Sequence, residues 1–189
     1  MSADFAAARA NMVDSQVRPS DVTDIFIQDA MRVVAREALV PPAKVSVAYA
    51  DAEIEYASGR WLLCPRDLAK LLQALGPRAG ERALAISAPY AAAVMEAMGL
   101  EVTRCDAAAI MTRPGGWPLM VCEGAVSRVP TPWLESLAPA GRLGVVERQG
   151  PVGRAMVYLK SGSIVSGRAV FDSTPPVLAG FEPRTAFVF

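Results

Sequence analysis

Two polar side chains follow short apolar runs at a spacing that could bind a nucleotide-like cofactor. Ser87 comes directly after the run Arg82-Ala83-Leu84-Ala85-Ile86, and Asp106 stands 20 positions beyond Ile86. In dinucleotide-binding sheets, a carboxylate about 20 residues after the phosphate-binding turn accepts hydrogen bonds from the ribose hydroxyls. The spacing therefore marks Asp106 as a candidate cofactor ligand. The alternative is that Asp106 only ends a strand and caps the residues that follow it.

The turn after the first run lacks the residues that normally bind a phosphate. Such a turn needs glycines, because they let backbone N–H groups and a helix N-terminus approach the ligand closely. Here the turn is Ser87-Ala88-Pro89, which contains no glycine, and Pro89 removes one N–H donor. We therefore interpret Ser87, Ala88 and Tyr90 as vestigial cofactor-binding candidates.

A second carboxylate, Glu123, follows the apolar run Leu119-Met120-Val121-Cys122. The carboxyl ends of parallel strands lie at the same edge of a sheet, so Glu123 is a further candidate for the same crevice. The alternative is an ion pair between Glu123 and Arg82 or Arg128. The sequence leaves both interpretations open.

The composition excludes several classes of site. The chain has 19 basic and 19 acidic residues, so no broad basic field for nucleic acid is expected. There is no apolar run of about eighteen residues and no basic, apolar leader, so we expect neither a membrane-spanning helix nor a signal peptide. The sequence contains no histidine, which excludes Ser-His and Cys-His nucleophilic sites and disfavours zinc. We therefore assign no catalytic residue and no metal ligand.

The cysteine content indicates a reducing compartment. Cys64, Cys105 and Cys122 are odd in number and have no metal-like spacing. We expect reduced, mostly buried thiols and a cytoplasmic protein.

The elements that position these side chains follow from the apolar periodicity. Helices are predicted at residues 3–13, 23–38, 65–75 and 89–98, with a short helix from residue 131. Strands are predicted at 82–86, 101–105, 117–125 and 141–147, followed by a hairpin of 154–160 and 163–171; a short strand is possible at 45–50. Strands that alternate with helices and end in a hairpin predict an α/β fold whose sheet is mostly parallel with an antiparallel edge. The apolar C-terminal segment 187–189 is expected to dock on the fold.

The order of several motifs resembles the protein-L-isoaspartate O-methyltransferase family. The motifs are Met12-Val13-Asp14-Ser15-Gln16-Val17-Arg18, Arg36-Glu37-Ala38-Leu39-Val40-Pro41, Tyr49-Ala50-Asp51, Gly59-Arg60-Trp61-Leu62-Leu63-Cys64-Pro65, Glu123-Gly124-Ala125 and Gly150-Pro151-Val152-Gly153-Arg154. They run in order through nearly the whole chain. The resemblance implies a single Rossmann-like class I methyltransferase domain over residues 1–189. It would consist of an N-terminal helical and substrate-loop region at 1–78 and a sheet core at 79–189.

The sequence departs from this family where the family binds its ligands. Aligned on Arg82 and Tyr90, it has Ala85 at the acidic position of the family's first strand, and Leu63 stands in place of the substrate-loop serine. Only residues 107–116 lie where the family has a helix and its third strand. A parallel crossover needs about a dozen residues or more, so we expect this unit to be deleted and the sheet to be shortened at the strand-3 edge.

These departures favour a protein that has lost S-adenosylmethionine binding and acts as a non-catalytic binding or regulatory module, with no cofactor expected. One alternative is an active S-adenosylmethionine-dependent protein-L-isoaspartate O-methyltransferase in protein repair, with an isoaspartyl peptide as substrate. Methyl transfer to a carboxylate depends on positioning more than on acid–base help, so the absence of histidine does not exclude it. The other alternative is a structural or oligomerisation subunit without a small ligand.

The deletion also has a consequence for assembly. Without the third strand, residues 101–105 form a sheet edge whose N–H and C=O groups are open to pairing with another chain. We predict a homodimer, or a complex with another protein, through residues 101–117, and no nucleic-acid or membrane partner. The rival prediction is a monomer in which residues 107–116 cover the edge.

Overall fold

A computed structural model describes residues 4–112 and 115–183 of the chain. The main strands are β3 (Arg82–Ile86), β4 (Glu101–Cys105), β5 (Trp117–Val126), β6 (Leu137–Arg148), β7 (Gly153–Ser161) and β8 (Ile164–Asp172). They form a six-stranded sheet in the order β4-β3-β5-β6-β7-β8. The pairs from β4 to β6 are parallel, and β7 and β8 are antiparallel. This confirms the predicted mostly parallel sheet with a C-terminal hairpin.

The helices are α1 (Phe5–Met12), α2 (Ile25–Val33), α3 (Pro65–Leu75), α4 (Pro89–Ala97) and α5 (Thr131–Glu135). A separate small hairpin consists of β1 (Ile54–Ala57) and β2 (Arg60–Leu62). Pro65 and Pro89 open their helices, where a missing N–H costs no intrahelical bond. Gly76 ends α3 in the left-handed conformation, as the Gly-Pro pair predicts.

Both faces of the central strands β3 and β5 are buried, which explains their near-continuous apolar runs. In β3, Ala83 and Ala85 pack into the core that contains α3 and α4, whereas Leu84 and Ile86 pack into the core that contains α5. Because β3, β4 and β5 are parallel, their C-terminal ends lie at one edge of the sheet, where the candidate site residues lie.

The sheet stops at β4, as expected for a deleted third strand. Among the described residues, no strand pairs with the outer side of β4. The connection that leaves β4 packs Ala107 and Ile110 onto the sheet face beside Leu84 and Met120. The described part of the crossover therefore lies over the face, and the outer edge of β4 is left without a strand partner.

The region before α3 differs most from the prediction. The possible strand at 45–50 is wrong, because residues Pro42–Val47 form a 3-10 helix. The long helix predicted at 23–38 ends at Val33; Val34 is extended, and a separate 3-10 turn covers Arg36–Leu39. The β-branched pair Val33-Val34 lowers the helix propensity where α2 ends. The 3-10 turn that follows directs the side chain of Arg36 into the interior.

None of the helices in residues 4–112 and 115–183 has the length and apolarity needed to cross a membrane. The C-terminal segment 187–189, which we expected to dock, lies outside the described residues.

Candidate functional site

The turn after β3 is built without glycine and holds a strained serine. Ser87 has a φ of 44°, a left-handed conformation that glycine adopts most easily. Its hydroxyl accepts the N–H of Ala107 at 2.9 Å and lies 3.3 Å from Asp106 Oδ2, while its N–H donates to the carbonyl of Cys105. Ala88 is buried as the residue before α4. The turn is therefore tied to the end of β4.

Asp106 lies beside this turn, and both of its oxygens are already bonded. Arg60 donates two hydrogen bonds to it, Nε to Oδ2 at 2.8 Å and Nη2 to Oδ1 at 3.0 Å. The N–H of Ala108 adds a capping bond at 2.9 Å. These hydrogen bonds lower the pKa of Asp106 to about 2, and the bond from Arg60 has the largest effect. The carboxyl group is therefore ionised at neutral pH. Asp106 thus caps the chain after β4 and pairs with Arg60.

Glu123 lies deeper in the same crevice and is fully buried. Its carboxylate accepts the N–H groups of Tyr90 at 2.9 Å and Ala91 at 3.2 Å, in the first turn of α4, and the N–H of Leu63 at 3.4 Å. A helix N-terminus attracts an anion through its unpaired N–H groups and its dipole. The side chain of Glu123 therefore occupies the position at which α4 would hold an anionic ligand.

Arg36 completes this buried cluster, and the sequence analysis missed it. Its side chain is fully buried, with Nε donating to the Ala48 carbonyl and Nη2 to the Leu63 carbonyl, both at 2.8 Å. The guanidinium carbon lies 4.6 Å from the centre of the Tyr90 ring. Nη1 of Arg36 and the hydroxyl of Tyr90 have no hydrogen-bond partner within the described part of the chain. The hint in the sequence was the position of Arg36 in the family-like motif that ends at Pro41.

The charged neighbour of Glu123 is therefore Arg36, and the ion pair with Arg82 or Arg128 is wrong. Arg36 attracts the carboxylate electrostatically, and this attraction lowers the pKa of Glu123. Arg82 instead donates to the carbonyl of Gly116 at 2.9 Å and stacks on Trp117. Arg82 lies at the N-terminal end of β3, whereas Glu123 follows the last residue of β5 that pairs with β3. The two residues therefore lie at opposite ends of the paired strands and do not meet.

Burial makes Glu123 sensitive to pH near neutrality. It raises the pKa of Glu123 from 4.5 to about 7, against the opposing effects of Arg36 and the three N–H bonds. A carboxyl group whose pKa is higher in the folded state binds more protons there, so the free energy of unfolding should fall as pH rises from about 4.5 to about 7. We expect a fall on the order of 2 to 3 kcal/mol, measured by urea unfolding. Glu123→Gln cannot titrate and should lack this slope; an equal slope in both proteins would assign it elsewhere.

A third acidic group lies near the start of α3. One ligand atom each of Glu53, Cys64 and Asp67 lies within 4.8 Å of the others. Asp67 already accepts a hydrogen bond from the Ser173 hydroxyl at 2.5 Å and one from Arg66 Nε at 3.2 Å. These neighbours satisfy the carboxylate with donors, so the arrangement is explained without a metal ion.

Most polar groups of the crevice make hydrogen bonds within the chain. The N–H groups at the start of α4 are bonded to Glu123, and Asp106 is bonded to Arg60. The hydroxyl of Tyr56 donates a hydrogen bond to the carbonyl of Ser87 at 3.0 Å. The Ser87 hydroxyl, Asp106 and Glu123 are thus bonded within the chain, whereas the Tyr90 hydroxyl has no hydrogen-bond partner among the described residues.

Comparison with known proteins gives a consistent set of relatives. A protein-L-isoaspartate O-methyltransferase of Methylorubrum extorquens is 33% identical over 198 residues, which cover 90% of this chain and 85% of that protein. One of Methylorubrum populi is 34% identical over 181 residues, 81% of this chain and 85% of that protein. No family model matches the sequence.

Solved structures show the same fold. A protein-L-isoaspartate O-methyltransferase from Plasmodium falciparum, in complex with S-adenosyl-L-homocysteine, superposes with a TM-score of 0.72 at 14% identity. It is matched over 90% of this chain and 97% of its own. A second structure of that name, 17% identical, also has a TM-score of 0.72 over 92% of this chain and 67% of its own.

Proposed function

Because the chain belongs to the protein-L-isoaspartate O-methyltransferase family, we propose that it is a member whose cofactor crevice is closed by its own side chains. It would then act as a non-catalytic binding or regulatory module. The observation that carries this proposal is the buried carboxylate of Glu123 on the first N–H groups of α4. A second anion cannot use these donors while Glu123 holds them.

The energetic reason is that Glu123 is not easily displaced. Moving it away from α4 would leave the N–H groups of Tyr90 and Ala91 unbonded in a buried site until a ligand replaced it, and each unsatisfied buried donor costs about 1 to 3 kcal/mol. The fully buried Arg36 would also lose the electrostatic attraction of Glu123. A cofactor would have to offset these losses before it gained affinity.

Two departures in the sequence support the same proposal. Ala85, at the acidic position of the first strand, is buried in the α3–α4 core rather than open to a ligand. Leu63, at the position of the substrate-loop serine, is fully buried and presents its N–H to Glu123. Neither side chain offers a polar group to a cofactor or to an isoaspartyl carboxylate.

Calorimetric titration with S-adenosylmethionine and S-adenosyl-L-homocysteine tests the proposal. We expect no dissociation constant below about 1 mM, which corresponds to a binding free energy of about −4 kcal/mol. A micromolar dissociation constant for the wild type, weakened in Asp106→Ala, would overturn the proposal.

The second candidate function is an active S-adenosylmethionine-dependent protein-L-isoaspartate O-methyltransferase. The observations that favour it are the name shared by relatives at 33–34% identity and the ionised Asp106 beside the end of β3. Tritiated methyl transfer to an isoaspartyl peptide separates the two candidates. Turnover above a control without protein, lost in Asp106→Ala, would establish the active enzyme; no turnover is the expected result.

Self-association through β4 is part of the same proposal, because a binding module needs a surface. The N–H of Glu101 donates to the Glu81 carbonyl, and the carbonyl of Cys105 accepts from Ser87, so these residues turn their backbone toward β3. By the alternation of a strand, the backbone groups of Val102 and Arg104 point outward. The outer edge of β4 can thus pair with a second copy about a twofold axis.

Replacing the outward N–H of Val102 tests this edge. We expect a dimer for the wild type by light scattering at micromolar concentration and a monomer for Val102→Pro. Because proline is tolerated on the solvent side of an edge strand, the variant should keep the wild-type circular dichroism spectrum. A monomeric wild type, or a folded Val102→Pro that is still dimeric, would exclude this edge as the self-association site. A dimer-free wild type that binds another protein through β4 would support the partner alternative.

The cytoplasmic location expected from the cysteines is part of this proposal.

A further inference from the structure

Three buried polar atoms of the N-terminal half have no hydrogen-bond partner among residues 4–112 and 115–183: Nη1 of Arg36, the hydroxyl of Tyr90 and Oε1 of Gln16. The other two buried atoms of this kind are the indole nitrogens of Trp117 and Trp133, whose rings pack in the core on the opposite face of the sheet. Native proteins bond nearly all buried donors and acceptors, either to protein or to an ordered water, because an unbonded one costs free energy. The first three atoms therefore need a common explanation.

Neighbouring peptide groups bring the three side chains together. Arg36 Nε donates to the Ala48 carbonyl, and Gln16 Nε2 donates to the next carbonyl, that of Tyr49, both at 2.8 Å. The two side chains are thus anchored on successive residues. The guanidinium carbon of Arg36 lies 4.6 Å from the centre of the Tyr90 ring, which places the phenol beside the same anchor.

An ion pair closes this region from the outside. Arg9 donates Nε to the Tyr49 hydroxyl at 3.0 Å and Nη2 to Glu37 at 3.1 Å, and both members of the ion pair are only 15% exposed. Burial raises the pKa of Tyr90, and the positive charges of Arg36 and Arg9 oppose this effect. The Tyr90 hydroxyl therefore lies on the side that faces Arg9, away from bulk solvent.

The acceptor of the group comes from an unusual turn. Residues Val13–Val17 form a π-helix, a wide turn that is rare and is frequently found at functional sites. Asp14 and Ser15 of this turn are exposed, whereas Gln16 is directed inward. Because a carbonyl can only accept, Nε2 of Gln16 must face the Tyr49 carbonyl, and Oε1 is left as an acceptor.

The donors and acceptors identify the class of ligand. Arg36 Nη1 can only donate, Gln16 Oε1 can only accept, and the Tyr90 hydroxyl can do both. An anion would be attracted by Arg36 but repelled by Gln16 Oε1 and by Glu123, whose negative charge also acts on Arg36. A small neutral molecule that both donates and accepts suits all three groups. Buried water typically makes about three hydrogen bonds to groups of this kind.

We propose that Arg36 Nη1, the Tyr90 hydroxyl and Gln16 Oε1 bind one ordered water molecule. This water joins the π-helix, the 3-10 turn that carries Arg36, and α4. It gives Nη1 of the fully buried guanidinium an acceptor and so helps to keep Arg36 charged beside Glu123. The site does not depend on whether the crevice binds a cofactor.

A high-resolution crystal structure of the whole chain tests the site directly. We expect one density peak within hydrogen-bond distance of the three atoms, with the scattering of a water oxygen. Crystals grown in sodium bromide distinguish an anion, because bromide at the site would give an anomalous peak. Tyr158→Phe is the matched control: Tyr158 packs on the opposite face of the sheet, so its loss of a hydroxyl should leave the peak unchanged.

Unfolding in urea gives a second readout. Tyr90→Phe removes the hydroxyl alone, so the equilibrium constant for unfolding should rise about fivefold if that hydroxyl is bonded to the water. Removal of a hydroxyl without a partner would leave the constant unchanged or lower it. Gln16→Met removes the acceptor, and the double variant should depart from additivity by at least about twofold, because both groups share one water.

The outcomes are decisive for this site. A water peak, a higher unfolding constant for Tyr90→Phe and non-additive variants support the proposal. A site with no peak, an anomalous bromide peak, a Tyr90→Phe variant at least as stable as the wild type, or strictly additive effects overturns it. None of these results bears on the proposed function, which the calorimetric titration tests separately.

Discussion

Glu123→Ala is expected to lower the free energy of unfolding by about 3 to 5 kcal/mol, the range observed when one partner of a buried charge cluster is removed. The variant leaves the N–H groups of Leu63, Tyr90 and Ala91 without their acceptor in a fully buried site. It also leaves the Arg36 guanidinium without the carboxylate that attracts it. Urea unfolding at pH 7 measures the loss.

Two controls identify the cause. Glu123→Gln keeps the volume and one acceptor oxygen, so it should lose less than the alanine variant. Glu135→Ala removes an exposed carboxylate at the end of α5 and should change stability by less than about 0.5 kcal/mol. If Glu123→Ala cost no more than Glu135→Ala, the carboxylate would not hold α4 against β5, and the proposed closure would lose its basis.

Arg36→Met is expected to lower the free energy of unfolding by about 3 to 5 kcal/mol, because it removes the other charged member of the same buried cluster. The carbonyls of Ala48 and Leu63 would lose their buried donors, and the ring of Tyr90 would lose the cation stacked on it. Methionine fills most of the space, so the loss should reflect polar contacts rather than a cavity.

A pH profile separates electrostatics from packing in this variant. Because attraction to Arg36 lowers the pKa of Glu123, its removal should raise that pKa and extend the fall in stability to higher pH. Arg148→Met is the matched control: Arg148 also donates to backbone carbonyls, those of Gly150, Thr174 and Pro175, but is only partly buried. A profile for Arg36→Met identical to that of the wild type would show that the two buried charges do not interact.

These expectations share one physical origin. The chain keeps the sheet and the α4 N-terminus of its fold, but its own side chains bond the polar groups there. Glu123 accepts the N–H groups of the helix, and Arg60 donates to Asp106. An internal carboxylate needs no diffusing ligand and loses little entropy on binding, so it competes strongly with any anion for the same donors. In the proposed function, the closure of the crevice therefore depends on these side chains rather than on a missing fold element.

The sequence by itself determined the order of the central elements. Three elements have local sequence signals, namely apolar periodicity and residues that begin or end an element. They are the apolar run 82–86, the helix opened by Pro89 and the strand that ends before Asp106, and all three lie where they were predicted. The shortened crossover at 107–116 likewise predicted the missing strand at the edge of β4, since chain length alone limits what ten residues can span.

Only the tertiary structure decided which groups meet in the crevice. Arg36 lies 87 positions from Glu123 in the sequence, and Arg60 lies 46 positions from Asp106. No local propensity encodes these pairs, because they depend on how the N-terminal region packs on the sheet. The sequence also predicted no strand in the hairpin that bears Arg60, since strands of four and three residues give almost no periodic signal. Burial of the central strands excludes water from Glu123, and this desolvation raises the pKa of a carboxyl group that the sequence shows only as a strand-end residue.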